Sequence, residues 1–154
     1  MNDRFKFRFY DEKNKIMVYA NTDNESLPYY QDEIYTTLQT YNLSAIENLA
    51  NNEDYIVMQC TGLKDKNGKL IYEGDIVKYA EFDWTDFSFK DWETEIAQVV
   101  WGNTYDNYYP AFDLKDTDFD GTNAFAYLFN EGWTIEVIGN IYTDAHLLEE
   151  TKND

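Results

Sequence analysis

The segment from Val57 to Tyr79, VMQCTGLKDKNGKLIYEGDIVKY, places the strongest constraint on what this chain can fold into. Asn67-Gly68 lies at its centre, and this dipeptide is typical of a type I′ turn, in which both central residues have φ > 0. Apolar and polar residues alternate on both sides of the dipeptide, which predicts a β-hairpin with one buried face. A second turn at Glu73-Gly74-Asp75 precedes another strand, so the segment predicts antiparallel β-structure.

The N-terminal residues predict a second hairpin. Phe5, Phe7 and Phe9 alternate with Arg4, Lys6 and Arg8 ahead of a turn at residues 11–14. We expect the three basic side chains to lie on a solvated strand face beside acidic neighbours. A stripe of phosphate contacts is the alternative interpretation of the same pattern.

One helical insertion, over residues 28–50, interrupts the predicted strands. Pro28 suits a first helical turn, and Ile34, Leu38 and Tyr41 follow at helical spacing. Ser44 and Glu47 offer a capping box for a short second helix. Further strands are predicted at 55–61, 70–72, 76–79, 96–101, 109–114 and 135–141, and a final short helix carries His146, Leu147 and Leu148 behind a cap at Thr143 or Asp144.

These elements predict one α+β domain over residues 1–154, predominantly β, built as a bent antiparallel sheet or small barrel with a helical insertion. Glycines are expected at its corners and close backbone approaches, namely Gly102, Gly121, Gly132 and Gly139. Within the central segment, five residues are expected to be architectural: Gly62, Asn67, Gly68, Gly74 and Asp75.

Three stretches of the sequence resemble the YopX family of phage and prophage proteins. The most specific is Thr61–Val77, TGLKDKNGKLIYEGDIV, which we call the central motif. Lys6–Asp11 with Lys15–Met17 is similar to the opening of that family. Glu136–Tyr142, EVIGNIY, which we call the C-terminal motif, is similar to its ending. The resemblance implies a YopX-like fold in a phage or prophage protein, and it implies no biochemical activity, because the family lacks an established one.

Charge is distributed unevenly along the chain, whose formal net charge is −18. Residues 1–78 hold nine Lys and Arg against 13 Asp and Glu, a balance of −4, whereas residues 79–154 hold three against 17, a balance of −14. Such a surface disfavours direct binding to nucleic acid or anionic membrane and favours a basic protein partner. The acidic half therefore predicts either a mimic of nucleic acid that inhibits a basic host protein or a surface that only aids solubility.

The sequence predicts a cytoplasmic protein of a bacterial host. No apolar run approaches the roughly 20 residues that cross a bilayer, and residues 1–10 lack the apolar core of a signal peptide. The single cysteine, Cys60, lies in a predicted strand and is expected to be a buried small hydrophobe.

The residues that could carry catalysis are few. His146 is the only histidine, and it lies on a predicted terminal helix, where we expect an ordinary surface or half-buried side chain. One Cys and one His make a zinc site unexpected, and the chain has no glycine-rich phosphate loop. We therefore expect no catalytic residues, no cofactor and no enzymatic activity. A carboxylate enzyme using a divalent metal is the alternative.

One loop carries a metal-like pattern. Asp116, Asp118 and Asp120, followed by Gly121, match the D-x-D-x-D-G opening of a calcium loop. The twelfth position of that loop is Tyr127, where a bidentate Glu belongs. We therefore expect an acidic surface loop, and the three aspartates remain weak metal candidates.

Aromatic residues make up 18% of the chain and concentrate in the insertion Glu81–Glu95, EFDWTDFSFKDWETE. This insertion predicts a strand pair folded back on the sheet or an exposed platform for a partner. So many rings on a small chain favour burial by self-association. We therefore predict a homo-oligomer that works by assembly and protein binding.

Overall fold

A computed structural model describes residues 6–19, 50–83, 88–102, 111–115, 117 and 123–150. The side chains of 81–83, 88–93 and 150 lie outside this description. The fold is predominantly β, with antiparallel sheets, one of them curled like half a barrel, and short helices, so the predicted fold class is confirmed. The chain divides into two compact units, residues 1–63 and 64–154.

The first unit is built on the predicted N-terminal hairpin. Strands β1 (Phe7–Asp11), β2 (Ile16–Tyr19) and β3 (Tyr55–Lys64, whose last residue begins the second unit) lie in the order β2-β1-β3. The Asp11 carboxylate closes the hairpin turn by accepting hydrogen bonds from the Asn14 amide N–H and side chain at 2.9 and 2.8 Å. Apolar side chains from all three strands form the core of this unit: Phe7, Phe9, Ile16, Val18, Tyr55 and Val57.

The predicted solvated basic face is wrong at Arg8. Its side chain is only 1% exposed, and it lies on the inner strand β1 directly across from Tyr19 on β2. The guanidinium stacks over the Tyr19 ring at 5.6 Å and donates a 3.3 Å hydrogen bond to its hydroxyl. Cation–π stacking and hydrogen bonding therefore offset the desolvation of the charge.

The described residues of the second unit form five strands and two short helices. The strands are β4 (Leu70–Tyr72), β5 (Asp75–Asp83), β6 (Ser88–Trp101), β7 (Phe112–Leu114) and β8 (Thr134–Asn140), and the helices are α1 (Ala124–Asn130) and α2 (Leu147–Glu150). The second sheet has the order β7-β6-β5-β8, with every neighbouring pair antiparallel. The insertion at residues 81–95 does form a strand pair, because β5 and β6 stay paired as far as Asp83 and Ser88.

The central motif forms the predicted hairpin through a different turn. Gly68 has φ +81°, but Asn67 does not share the positive φ that a type I′ turn requires. The Gly68 N–H instead donates to the Asp65 carbonyl at 2.9 Å, and the Asp65 N–H donates to the Lys69 carbonyl at 2.8 Å. This is a turn over residues 65–68 whose last residue, Gly68, is left-handed, and it is a common longer hairpin connection. Glycine is needed only at that last residue.

Helix α1 was not predicted, since the sequence analysis placed no element between the strands expected at residues 109–114 and 135–141. Its cap is Asn123, whose side-chain oxygen accepts the Ala126 N–H at 3.0 Å. Asp113, from the distant strand β7, accepts the Ala124 N–H at 2.9 Å. Together they satisfy two of the amide groups that a helix start leaves without intrahelical partners.

Several predictions fall outside the described residues. The helical insertion over residues 28–50 does so except for its last residue, and so do Arg4, Phe5 and Gly121. The predicted terminal helix is confirmed as α2, although it begins at Leu147 and leaves His146 in the preceding turn. No helix within the described ranges is long and apolar enough to cross a membrane.

Candidate functional site

An open groove lies on one face of the second sheet, and strand register explains its floor. Ala80 on β5 is directly opposite Thr94 on β6 and Thr134 on β8. Residues opposite each other in antiparallel strands point to the same face, so two threonines flank one small alanine. Because alanine fills little space between its neighbours, this row forms a depression in the sheet.

The next row on the same face supplies charge. Lys78 lies two residues before Ala80 and directly opposite Glu136 on β8. Lys66 reaches the same place from the turn of the central motif. The groove has a volume of about 230 Å³ and is lined by Lys66, Lys78, Tyr79, Ala80, Thr94, Thr134 and Glu136. We call it the sheet-face groove.

One of the two lysines of the sheet-face groove is neutralised. The Lys66 ammonium lies 2.6 Å from Glu136 Oε2, and the Asn67 side-chain amide donates to Glu136 Oε1 at 3.4 Å. The hydrogen bond from Lys66 lowers the pKa of Glu136 below its ordinary value. Within the described part of the chain, no ion pair holds the Lys78 ammonium.

On the opposite face of β5, an aromatic cluster packs beneath the groove. The Tyr79 hydroxyl donates to Glu95 Oε2 at 2.6 Å, and the two residues are paired across β5 and β6. Burial, and then the hydrogen bond to Glu95, raise the pKa of Tyr79. The Trp133 ring lies 6.4 Å from Tyr79 and 5.7 Å from Tyr127, centre to centre. Tyr79 is therefore a neutral donor held in place by packing.

The turn beside the groove is organised by the carboxylate of Asp65, which is 7% exposed. Its Oδ1 accepts the amide N–H groups of Asn67 and Lys69, each at 2.9 Å, and its Oδ2 accepts that of Val137 at 3.1 Å. Burial would raise the pKa of Asp65, but these three donors stabilise the charged form and the pKa is lowered overall. The ionised side chain thus fastens the turn to β8.

Other buried or half-buried aspartates also accept hydrogen bonds from backbone N–H groups. Asp75 accepts the Tyr72 N–H at 2.8 Å, and Asp113 accepts the N–H groups of Leu114 and Ala124. Asp144 accepts the Asn140 N–H at 3.1 Å and a 2.6 Å hydrogen bond from the Thr143 hydroxyl. That hydroxyl bond is the main reason that the pKa of Asp144 is lowered. These carboxylates therefore act as parts of the fold.

Asp144 also explains the predicted close approach at Gly139. A Cβ added to Gly139 would lie 2.8 Å from both Cβ and Oδ2 of Asp144. Real Cβ atoms essentially never come this close to another atom, so the glycine makes room for the carboxylate.

The outer edges of the second sheet are covered by the chain itself. At β8, the Lys66 N–H donates to the Ile135 carbonyl at 2.8 Å, and Asp65 accepts from Val137. At β7, the Asn123 side chain donates to the Phe112 carbonyl at 2.8 Å. The Thr117 hydroxyl donates to the Leu114 carbonyl at 2.9 Å. Covered edges protect a sheet from pairing with strands of other molecules.

The structure describes some of the candidate residues named from the sequence and not others. Asp116, Asp118 and Asp120 lie outside the described residues, so their metal binding stays a prediction. Within the described ranges, no three His, Cys, Asp or Glu side chains are placed to hold a metal ion. Cys60 is buried and His146 is exposed, both as predicted, although His146 lies in the turn before α2 and not in the helix.

Sequence reasoning missed the sheet-face groove. Lys66 lies in the central motif and Lys78 directly follows it, but Thr94, Thr134 and Glu136 join them only through strand register. A pattern of alternating residues gives the face of one strand and not its alignment with the next. The one available signal was Ala80, a small residue in a run of larger strand residues.

The chain was compared with known proteins. A family model described as "YopX protein" matches residues 6–149, nearly the whole length. The chain belongs to the YopX family. The crystal structure of protein EF1440 from Enterococcus faecalis is similar in fold, with 21% sequence identity, a TM-score of 0.50, and coverage of 93% of this chain and 96% of that one. No match was found among curated proteins.

The structure gives a physical reason for the central and C-terminal motifs of this YopX protein. The two motifs meet: Asp65 and Lys66 of the central motif bind the backbone of β8, and the Ile141 N–H donates to the Gly74 carbonyl at 2.9 Å. Gly62, Gly68 and Gly74 all have positive φ. Both motifs therefore encode one hydrogen-bonded junction, and the sheet-face groove lies beside it.

Proposed function

We propose that this YopX protein is a non-enzymatic accessory protein of a phage or prophage that acts in the bacterial cytoplasm by self-assembly and protein binding. Membership of the YopX family supports the phage association. The use of Asp65, Asp75, Asp113 and Asp144 as backbone acceptors supports a non-enzymatic role, because carboxylates held this way are poor candidates for general acid–base chemistry.

An exposed tryptophan carries the protein-binding proposal. Trp101 is 52% exposed at the end of β6 and lies directly opposite Phe112 on β7. The two rings pack edge to face, with centroids 4.8 Å apart. An indole that is exposed yet held by a neighbouring ring loses little side-chain entropy on binding, and tryptophan is enriched at the energetic centres of protein interfaces.

The covered sheet edges indicate how assembly would occur. Strand addition at β7 or β8 would require displacing Asn123, Thr117 or the central-motif turn from the edge carbonyls. Contacts through side chains, centred on Trp101, require no such displacement. We therefore infer assembly through side-chain surfaces.

Light scattering coupled to size exclusion tests the proposal. The wild-type chain is expected to elute with a mass above the 18.3 kDa of one copy. Trp101→Ala should reduce the mass or shift the association to higher concentration. Phe129→Ala is the matched control, because Phe129 is also exposed, at 38%, but stacks on Phe125 of the same helix.

A wild-type monomer at tens of micromolar would contradict self-assembly. If Trp101→Ala and Phe129→Ala behaved alike in a wild-type oligomer, the interface would not involve Trp101. Circular dichroism of both variants should match the wild type, which excludes unfolding as the cause of any change.

A mimic of nucleic acid is the second candidate, and the balance of −14 over residues 79–154 favours it. The backbone-bound aspartates weigh against it, since buried Asp113 and half-buried Asp144 cannot both stand out like phosphates. Affinity capture from the bacterial host at low and high salt separates the candidates. Recovery of a basic nucleic-acid-binding protein only at low salt would favour mimicry. The carboxylate and metal alternative depends on three or more of Asp113, Asp116, Asp118 and Asp120 holding a metal ion. Unchanged thermal stability in millimolar Ca²⁺, Mg²⁺ or Mn²⁺ would remove its support.

A further inference from the structure

We propose that the sheet-face groove is a binding site for one small anionic group, a phosphate or a carboxylate, held by Lys78 and Lys66 between the hydroxyls of Thr94 and Thr134. This site goes beyond the proposed assembly function and does not depend on it.

Lys78 is the first reason. It is half-buried on β5, an inner strand of the second sheet, and its ammonium forms no ion pair with any described residue. A partly buried lysine loses hydration, which a charged acceptor can restore. The chain has a net charge of −18, yet no described carboxylate forms an ion pair with this lysine.

The neighbours of Lys78 supply the other requirements of an anion site. Thr94 and Thr134 flank Ala80, and each offers a hydroxyl donor. The small Ala80 side chain leaves room between them. Ammonium and hydroxyl donors around a small depression match an oxygen-rich anion, whose lone pairs accept from several sides.

Glu136 shows that the groove already holds a carboxylate. Its Oε2 lies 2.6 Å from the Lys66 ammonium, and its Oε1 accepts from Asn67 at 3.4 Å. Glu136 is therefore an internal competitor for Lys66, and its charge also repels an incoming anion. Neutralising Glu136 should strengthen binding, an effect that a purely structural role for these lysines does not produce.

The size and charge of the surroundings limit the ligand. The groove volume of about 230 Å³ is below the roughly 300–1,000 Å³ of pockets that enclose drug-sized molecules, so it has room for a single group. Repulsion from the net charge disfavours polyanions such as nucleic acid. The ligand is therefore a small molecule or ion with one phosphate or carboxylate in the groove.

The test is an NMR titration of ¹⁵N-labelled protein with sodium phosphate and, in a second arm, sodium acetate. Chloride keeps the ionic strength constant in both arms. Saturable shifts are expected at the amides of Lys78, Thr94 and Thr134. Saturation by phosphate alone assigns a phosphate site, and saturation by acetate alone assigns a carboxylate site.

Three variants test which side chains determine the affinity for the anion. Lys78→Gln should weaken binding about tenfold, because it removes one charge-assisted hydrogen bond. Glu136→Gln should tighten binding severalfold. Lys115→Gln is the matched control, an exposed lysine of the same unit outside the groove, and should leave the affinity unchanged.

The spectra themselves report whether each variant is folded. The proposal is overturned if neither anion gives saturable shifts at the groove. It is also overturned if Lys78→Gln and Lys115→Gln change the affinity equally, or if Glu136→Gln weakens binding while its spectrum remains that of the folded protein.

Discussion

The replacement Asp65→Asn tests the claim that one ionised side chain fastens the central motif to β8. The amide keeps one oxygen, which can still accept the Asn67 and Lys69 N–H groups. Its nitrogen then faces the Val137 N–H, so two donors oppose each other at a buried position. The change is nearly isosteric, which isolates the hydrogen bonds from packing.

The magnitude follows from those contacts. One hydrogen bond to a charged acceptor contributes about 1.5–3 kcal/mol, and an unsatisfied buried N–H costs about 1–3 kcal/mol. Because these contributions overlap, we expect the free energy of unfolding to fall by about 3 kcal/mol. For a chain of this size that corresponds to a loss of about 6–12 °C in Tm.

The pH dependence gives an independent check. The pKa of Asp65 in the folded protein is lowered from its ordinary value of 3.8. Its stabilising contribution is therefore fully present above that ordinary value and disappears as the pH falls through the lower folded pKa. The difference between wild type and Asp65→Asn should be largest near neutral pH and shrink in strong acid.

Urea unfolding followed by tryptophan fluorescence measures the difference. Glu131→Gln is the control, since it makes the same chemical change at an exposed position of the same unit and should alter stability by less than about 0.5 kcal/mol. If Asp65→Asn were no less stable than Glu131→Gln at neutral pH, Asp65 would not fasten the turn as described.

Two further replacements and one chemical labelling experiment test other parts of the structure. Gly139→Ala should lower the free energy of unfolding in urea by about 1–3 kcal/mol. The reason is that the new alanine Cβ would collide with the Asp144 side chain, which two hydrogen bonds already hold in place. An unchanged free energy of unfolding would contradict that contact. Cys60 should react with a thiol reagent only as fast as the protein opens, since its side chain is buried, and rapid labelling of the native state would show otherwise. In an ultraviolet titration, wild type and Tyr79→Phe should show the same number of phenols ionising near pH 10, because burial raises the pKa of Tyr79 above that range. One fewer such phenol in the variant would show that Tyr79 is exposed to water.

Local patterns predicted the strands well, and non-local contacts explain the errors. Alternation and the Asn67-Gly68 dipeptide were sufficient to predict the central hairpin and most of β8. Arg8 was misplaced because alternation shows which side chains share a strand face but not whether that face is covered, and its contact with Tyr19 arises only when β1 and β2 pair.

Helix α1 was not predicted because it also depends on a contact outside its own sequence. Its sequence AFAYLFN has no polar face, and one of its caps, Asp113, comes from 11 residues earlier in the chain. The sheet-face groove was equally out of reach, since it exists only after Thr94, Ala80 and Thr134 are brought into register.

The hydrogen bond between Asp65 and Val137 also has a consequence for the order in which the chain folds during translation. The two residues are 72 positions apart, and ribosomes add about 5–20 residues per second, so roughly 4–14 seconds separate their appearance. During that interval the central motif can form its local turn but has no β8 to receive it. Contacts of such long sequence separation form late and slow folding, so the junction should close as one of the last events after translation.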